Sequence, residues 1–161
     1  MNTKPTFVVQ IADREWTLEA LHCACLLARN TSAQIALIKM IPVPHAGWLG
    51  TEWGYMKFTD QDEADFTDYQ ATLEDYGVEF APLLFQYITL AEAMADVAVY
   101  VNAQIVFAKI PESIIPFWTT VQRWLLGRQF AQQNRQWVQY PVYEVGASQP
   151  IPEAMAEIHH H

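Results

Sequence analysis

Chemistry in this sequence is confined to a few places. Asp13 follows the apolar run Phe7-Val8-Val9-Gln10-Ile11-Ala12, and Ala108 to Ser113 follow the run Ile105-Val106-Phe107-Ala108. A carboxylate and a loop at the ends of two strands form the kind of place where backbone N–H groups converge on an anion. His22, Cys23 and Cys25 sit together and invite a zinc reading. On a helix, however, residues two apart point to different faces, so the two thiols cannot easily share one tetrahedral ion or join in a disulfide. No second ligand pair lies elsewhere, so the better reading is of buried thiols acting as small core residues, with no metal. Asp60, Asp62, Glu63 and Asp65 lack the glycine turn of a calcium loop and read as a solvated helix start. There is no Gly-x-Ser-x-Gly elbow, no Walker loop and no Cys–His signature, so an enzyme is the weakest of the readings.

Composition narrows the classes. The 161 residues are 52% apolar and 17% charged, with a formal net charge of −9. Such a chain buries a core and is not disordered. Its acidity argues against broad nucleic-acid binding, which rests on Lys and Arg neutralising phosphates, and against docking on anionic lipid. No apolar stretch is long enough to span a bilayer, and the polar start from Met1 to Pro5 has no signal core, so the expected compartment is cytoplasmic. His159, His160 and His161 look like a purification tag and are set aside as ligands.

Five short apolar runs must position these residues. They are Phe7–Ala12, Ile35–Ile41, Val78–Leu84, Ile105–Ala108 and Val142–Val145. The first, second and fourth are nearly continuous, as in strands covered on both faces. Pro82 cannot donate to a ladder, so the third is expected at an edge, or to end there. Helical spacing of Leu18, Leu21, Cys25 and Ala28 predicts a first helix within Glu15–Asn30. A second runs from Asp60 to Tyr76, with acids at the positive end of its dipole and a stop at Gly77. Thr89 and Glu92 form a capping box for a third through Val101. A fourth starts near Pro116 and runs to about Val138. Strands alternating with helices predict an α/β fold: a doubly wound five-stranded parallel sheet, order 3-2-1-4-5, with helices on both faces. Residues 1–146 form this domain, and 147–161 are a flexible tail carrying the tag remnant. Ligands of such sheets bind beyond the carboxyl ends of the strands at the switch point. Here that lies between strands one and four, at Asp13 and Ala108–Ser113.

Several segments together resemble the universal stress protein family. They are Val8 to Asp13, Ala33 to Pro44, Ala103 to Ala108, Leu125-Leu126-Gly127 (similar to the start of the family's last helix) and Tyr140 to Val145 (similar to its fifth strand). The resemblance spans nearly all of residues 6–145 and rests on order and spacing together. It implies that Asp13 matches the acidic residue lying beside the adenosine in nucleotide-binding members. Those members follow strand four with Gly-x-x-Gly, nine residues, and then Gly-Ser or Gly-Thr. Here Ala108 replaces the first glycine and Pro111 the second. Gly127 survives, followed by Arg128. Pro111 and Pro116 remove N–H donors, and Ile110, Ile114 and Ile115 strongly disfavour positive φ. The favoured reading is a regulatory or interaction module acting through protein contacts and not binding ATP in the standard way, with no cofactor expected. The alternative is an ATP- or AMP-binding regulator whose altered site uses Asp13, Gly127 and Arg128. Arg128 also reads as a solvated helix residue.

Two surfaces could carry contacts. In the resembled family strand five commonly pairs with its symmetry mate, which implies a homodimer here through Val142, Tyr143, Glu144 and Val145. Val142, Tyr143 and Val145 are strong strand formers, and an uncovered edge calls for a partner. The second surface combines Trp48 and Trp53 of the loop from His45 to Tyr55 with the aromatic last helix, whose Phe117, Trp118, Trp124, Phe130 and Trp137 do not share one stripe. These aromatics either meet a protein partner or fold back over the sheet edge.

Overall fold

The structure, a computed structural model, describes residues 4–51, 59–110 and 116–139. The elements alternate: β1 (Thr6–Ile11), α1 (Arg14–Thr31), β2 (Gln34–Pro42), a short 3-10 turn (Ala46–Trp48), α2 (Asp60–Tyr76), β3 (Phe80–Tyr87), α3 (Leu90–Tyr100), β4 (Ala103–Phe107), α4 (Pro116–Gln132) and β5 (Gln136–Val138). The five strands form one sheet in the order β3-β2-β1-β4-β5, and all four pairings are parallel. This is the expected doubly wound order.

The central strands are largely apolar because both faces are covered. Phe7, Val9 and Ile11 of β1 pack with α1 and with Tyr69 and Leu73 of α2. Val8 of the same strand faces the other way, with Ala36, Ile38 and Val106, against Met94 and Val97 of α3 and Leu126 and Phe130 of α4. Each fully buried side chain of this kind contributes about 1.5–3 kcal/mol. The central strand is buried along its whole length, whereas β3 is half exposed. Pro82 does lie on this edge strand, which begins two residues later than the sequence run and continues to Tyr87.

The helices stop on left-handed residues, and only one is glycine. Gly77 (φ 69°) ends α2, while Ser32, Asn102 and Asn134 take φ of 55°, 52° and 57° after the other three. At the end of α4 the Asn134 N–H donates to the Ala131 carbonyl and the Arg135 N–H to the Phe130 carbonyl, at 3.2 and 2.8 Å. This is the Schellman pattern.

That stop corrects the fifth strand. The last helix ends at Gln132, not near Val138, and the strand that pairs with β4 among the described residues is Gln136–Val138. Val142, Tyr143, Glu144 and Val145 lie outside the described residues. Trp137 therefore belongs to β5, where its ring meets Phe130 edge-on at 6.3 Å. Two smaller expectations also fail. The Thr89 side chain makes no capping bond, although α3 opens where expected. Leu125-Leu126-Gly127 falls in the C-terminal half of α4, not at its start. At α2, by contrast, Thr59 and Asp62 form a reciprocal capping box.

Candidate functional site

The carboxyl ends of β1 and β4 converge on Asp13. The chain leaves β1 through Ala12 and enters α1 with Asp13 as N-cap (φ −64°, ψ 151°). Its Oδ2 accepts the Trp16 N–H at 3.1 Å. Thr17, wholly buried, fixes the turn from below: its hydroxyl donates to the Asp13 carbonyl at 2.8 Å and accepts the Ala12 N–H at 2.9 Å. The Trp16 indole N–H reaches the carbonyl of Gln139 at 2.8 Å, tying the turn to the residue after β5.

From the β4 side comes Lys109. Its Nζ lies 2.6 Å from Asp13 Oδ1. Its backbone N–H, among the first beyond β4, donates to Oε1 of Gln10 at 2.8 Å. Gln10 sits inside β1 and is 4% exposed. The neighbouring backbone is also engaged. The Ala108 N–H donates to the Val138 carbonyl at 3.1 Å, the Trp137 indole N–H to the Ala108 carbonyl at 3.0 Å, and the Arg123 guanidinium to the Ile110 carbonyl at 3.0 Å. Residues 111–115 lie outside the described residues.

Two influences compete on the Asp13 carboxyl. Burial pushes its pKa up, but the hydrogen bond to Lys109, the Trp16 N–H and the Lys109 charge together outweigh it and hold the group below its ordinary value. A carboxylate so held is a weak base at neutral pH. Nor are the thiols nucleophiles. Cys23 and Cys25 are buried in the core, and desolvation lifts them to about 11 and about 12. His22 instead pairs through Nδ1 with the Tyr76 hydroxyl at 2.8 Å. Among the described residues no group of three or more His, Cys, Asp or Glu could hold a metal.

The other sequence-selected residues make different contacts from Asp13. Gly127 faces the Trp137 ring from within α4. Arg128 lies over the Trp124 ring, 5.5 Å from its centre. It lines an open cleft of about 710 Å³ between α3 and α4, with Thr89, Glu92 and Gln129 among its neighbours. Trp48 is half-buried in the 3-10 turn, against His45, and Trp53 is outside the described residues. The loop does fold back to the sheet edge where it is described: Gln86 of β3 accepts the Gly50 N–H and donates to the Thr51 carbonyl.

Sequence reasoning did not single out Gln10, nor Lys109 within the stretch Ala108–Ser113, although both left a signal. Gln10 is a long polar side chain in a buried strand whose other polar residue is Thr6. Lys109 stands two residues beyond Phe107, which pairs with Val9. Parallel register therefore sets it beside Ile11, within side-chain reach of Asp13.

Comparison with solved structures places this architecture among the universal stress proteins. A family member from Burkholderia pseudomallei superposes with a TM-score of 0.59 at 16% identity, over 85% of this chain and 96% of its own. One from Archaeoglobus fulgidus gives 0.55 at 15% identity, over 84% and 92%. A universal stress protein solved in complex with cAMP gives 0.53 at 13% identity, over 86% and 97%. The likeness is one of fold. No family model matches the sequence, and no curated protein matches it.

Proposed function

We propose that the chain is a regulatory module of universal-stress-protein fold that works through protein contacts, with its switch point closed from within. The observation that carries this reading is the double engagement of Lys109. Its backbone N–H is taken by buried Gln10 and its amine by Asp13. A phosphate at the end of β4 needs free N–H donors and an uncommitted cation, and this residue offers neither without breaking an internal bond. Pro111, which has no N–H, reduces the donors further.

A second reading comes from the same pair. Asp13 and Lys109 are both partly exposed. A ligand carrying a donor at one end and an anion at the other could open the pair and replace each half. The solved relative that holds cAMP makes an adenine nucleotide the compound to try. In that reading Lys109, not Arg128, meets the anion.

Native mass spectrometry of the purified chain, followed by calorimetric titration with ATP and with cAMP, separates the two. The expected result is no nucleotide carried through purification and no saturable heat. Saturable binding that disappears in Lys109→Ala would overturn the closed-site reading and establish the second.

A further inference from the structure

We infer that the outer edge of β3 is a docking site for an extended, cationic peptide segment of a partner protein. The inference supplies the kind of partner for the protein-contact reading above and in that sense rests on it.

The direction of the backbone groups comes first. The Ile35 N–H donates to the Glu79 carbonyl and the Val43 N–H to the Tyr87 carbonyl, each at 2.9 Å. These two bonds flank the β2–β3 ladder, whose register runs without a break from Ile35↔Phe80 to Pro42↔Tyr87. Along a parallel strand the groups of alternate residues point to the same side. Odd-numbered residues of β3 therefore serve β2, and the even-numbered ones, Phe80, Pro82, Leu84 and Gln86, turn their N–H and C=O groups away from the sheet. This explains why a proline is tolerated within the ladder: the donor that Pro82 lacks would have faced outward. It also means that Phe80 and Leu84 present N–H groups, and Phe80, Pro82 and Leu84 present carbonyls, along the outer edge of the sheet.

Among the described residues, Pro82 and the loop contact at Gln86 are what blunt that edge. Charged residues commonly protect edge strands, yet Phe80 to Ile88 contains none. Ala81, Pro82 and Leu84 are exposed, Leu84 to 49%. The described part of the loop after β2 reaches only the far end, at Gln86. Among the described residues, Phe80 to Leu84 is left as a short template for strand addition, with the Phe80 and Leu84 N–H groups on either side of Pro82.

Charge selects the occupant. Every charged side chain between Thr59 and Lys109 is acidic, so α2, β3 and α3 carry no Lys or Arg. Two described cations beside this edge are committed, Lys4 to Glu79 at 2.8 Å and Lys39, the register partner of Leu84, to Asp62 at 3.1 Å. A segment with alternating apolar and basic residues gains main-chain hydrogen bonds and meets a field of the opposite sign. A second copy of this chain would bring acidic flank against acidic flank.

The test uses the full chain and two short synthetic peptides, one alternating lysine with valine and one alternating glutamate with valine. Binding is read by fluorescence anisotropy, and the site by amide exchange. The lysine peptide is expected to bind, the glutamate peptide not, and the Phe80 and Leu84 N–H groups to become protected. Leu84→Pro removes an outward donor without touching the ladder to β2. It should keep the fold and weaken the lysine peptide by about tenfold, the equivalent of one or two hydrogen bonds. If that variant unfolds, Leu84→Lys places a repelling charge on the same exposed position and should weaken binding in its stead. Absence of lysine-peptide binding, equal binding of both peptides, or unchanged binding in a folded Leu84 variant each overturns the inference. A dimer by light scattering that Leu84→Pro releases also overturns it, in favour of a second copy. Nucleotide titration reports separately on the closed switch point: ATP binding alongside peptide binding would remove that reading and leave this one standing.

Discussion

Gly127→Ala is the sharpest test of how α4 and β5 are built. In a phosphate loop a glycine is needed because the backbone approaches an anion or adopts positive φ. Here the residue lies within a regular helix that runs on to Gln132, and the described glycines with positive φ are Gly50 and Gly77. A Cβ added at position 127 would meet the Trp137 ring carbons Cε3 and Cζ3 at 3.8 Å, ordinary van der Waals contact. The substitution thus strains nothing and removes the entropic cost of glycine in a helix interior, about 1 kcal/mol. For a domain of this size that gain raises Tm by about 3 °C. Gly77→Ala is the internal control. Gly77 has φ of 69° at the end of α2, so although a Cβ finds open space there, the left-handed backbone makes it cost about 1 kcal/mol. Differential scanning calorimetry of the two variants should therefore give shifts of opposite sign. A loss of stability in Gly127→Ala comparable to that in Gly77→Ala would refute the packing of α4 on β5 and return Gly127 to the role of a loop glycine.

Two further outcomes concern the switch point. Asp13→Ala removes both a helix cap and an ion pair and should cost about 1–2 kcal/mol at neutral pH, mostly from the cap, because the pair is more than a third exposed and screened by solvent. The sign with pH follows from the depressed carboxyl. Its contribution is complete above the ordinary value of 3.8 and is lost as pH falls through the lower folded value, so the gap between urea melts of Asp13→Ala and the parent should narrow as pH falls below 3.8. A gap that widens on acidification would contradict the pairing with Lys109. Gln10→Leu leaves the Lys109 N–H without its buried acceptor and should destabilise by about 1–3 kcal/mol, measured by the same melts. A neutral effect would mean that the Gln10 bond does not hold the end of β4.

Much of this protein is determined by pattern that a linear reading can reach. Continuous apolar runs at Phe7, Ile35 and Ile105 mark strands covered on both faces, and the helical intervals between them dictate parallel crossovers, hence the order β3-β2-β1-β4-β5 and a switch point at Asp13. The acidic start and glycine stop of α2 are local signals and come out at the right residues. Pro82 announces an edge strand because a missing donor is tolerable only there. Other features depended on the assembled sheet. The end of α4 turned on Asn134, which takes a left-handed backbone, and this moved the fifth strand to Gln136–Val138. Whether Thr89 caps α3 depended on rotamers that the sequence motif does not specify. The pairing of Asp13 with Lys109, and of Gln10 with the Lys109 N–H, joins residues almost a hundred positions apart. Only the parallel register of β1 against β4 sets them side by side, because a side chain's chemistry is local in sequence while its neighbours are chosen by the sheet.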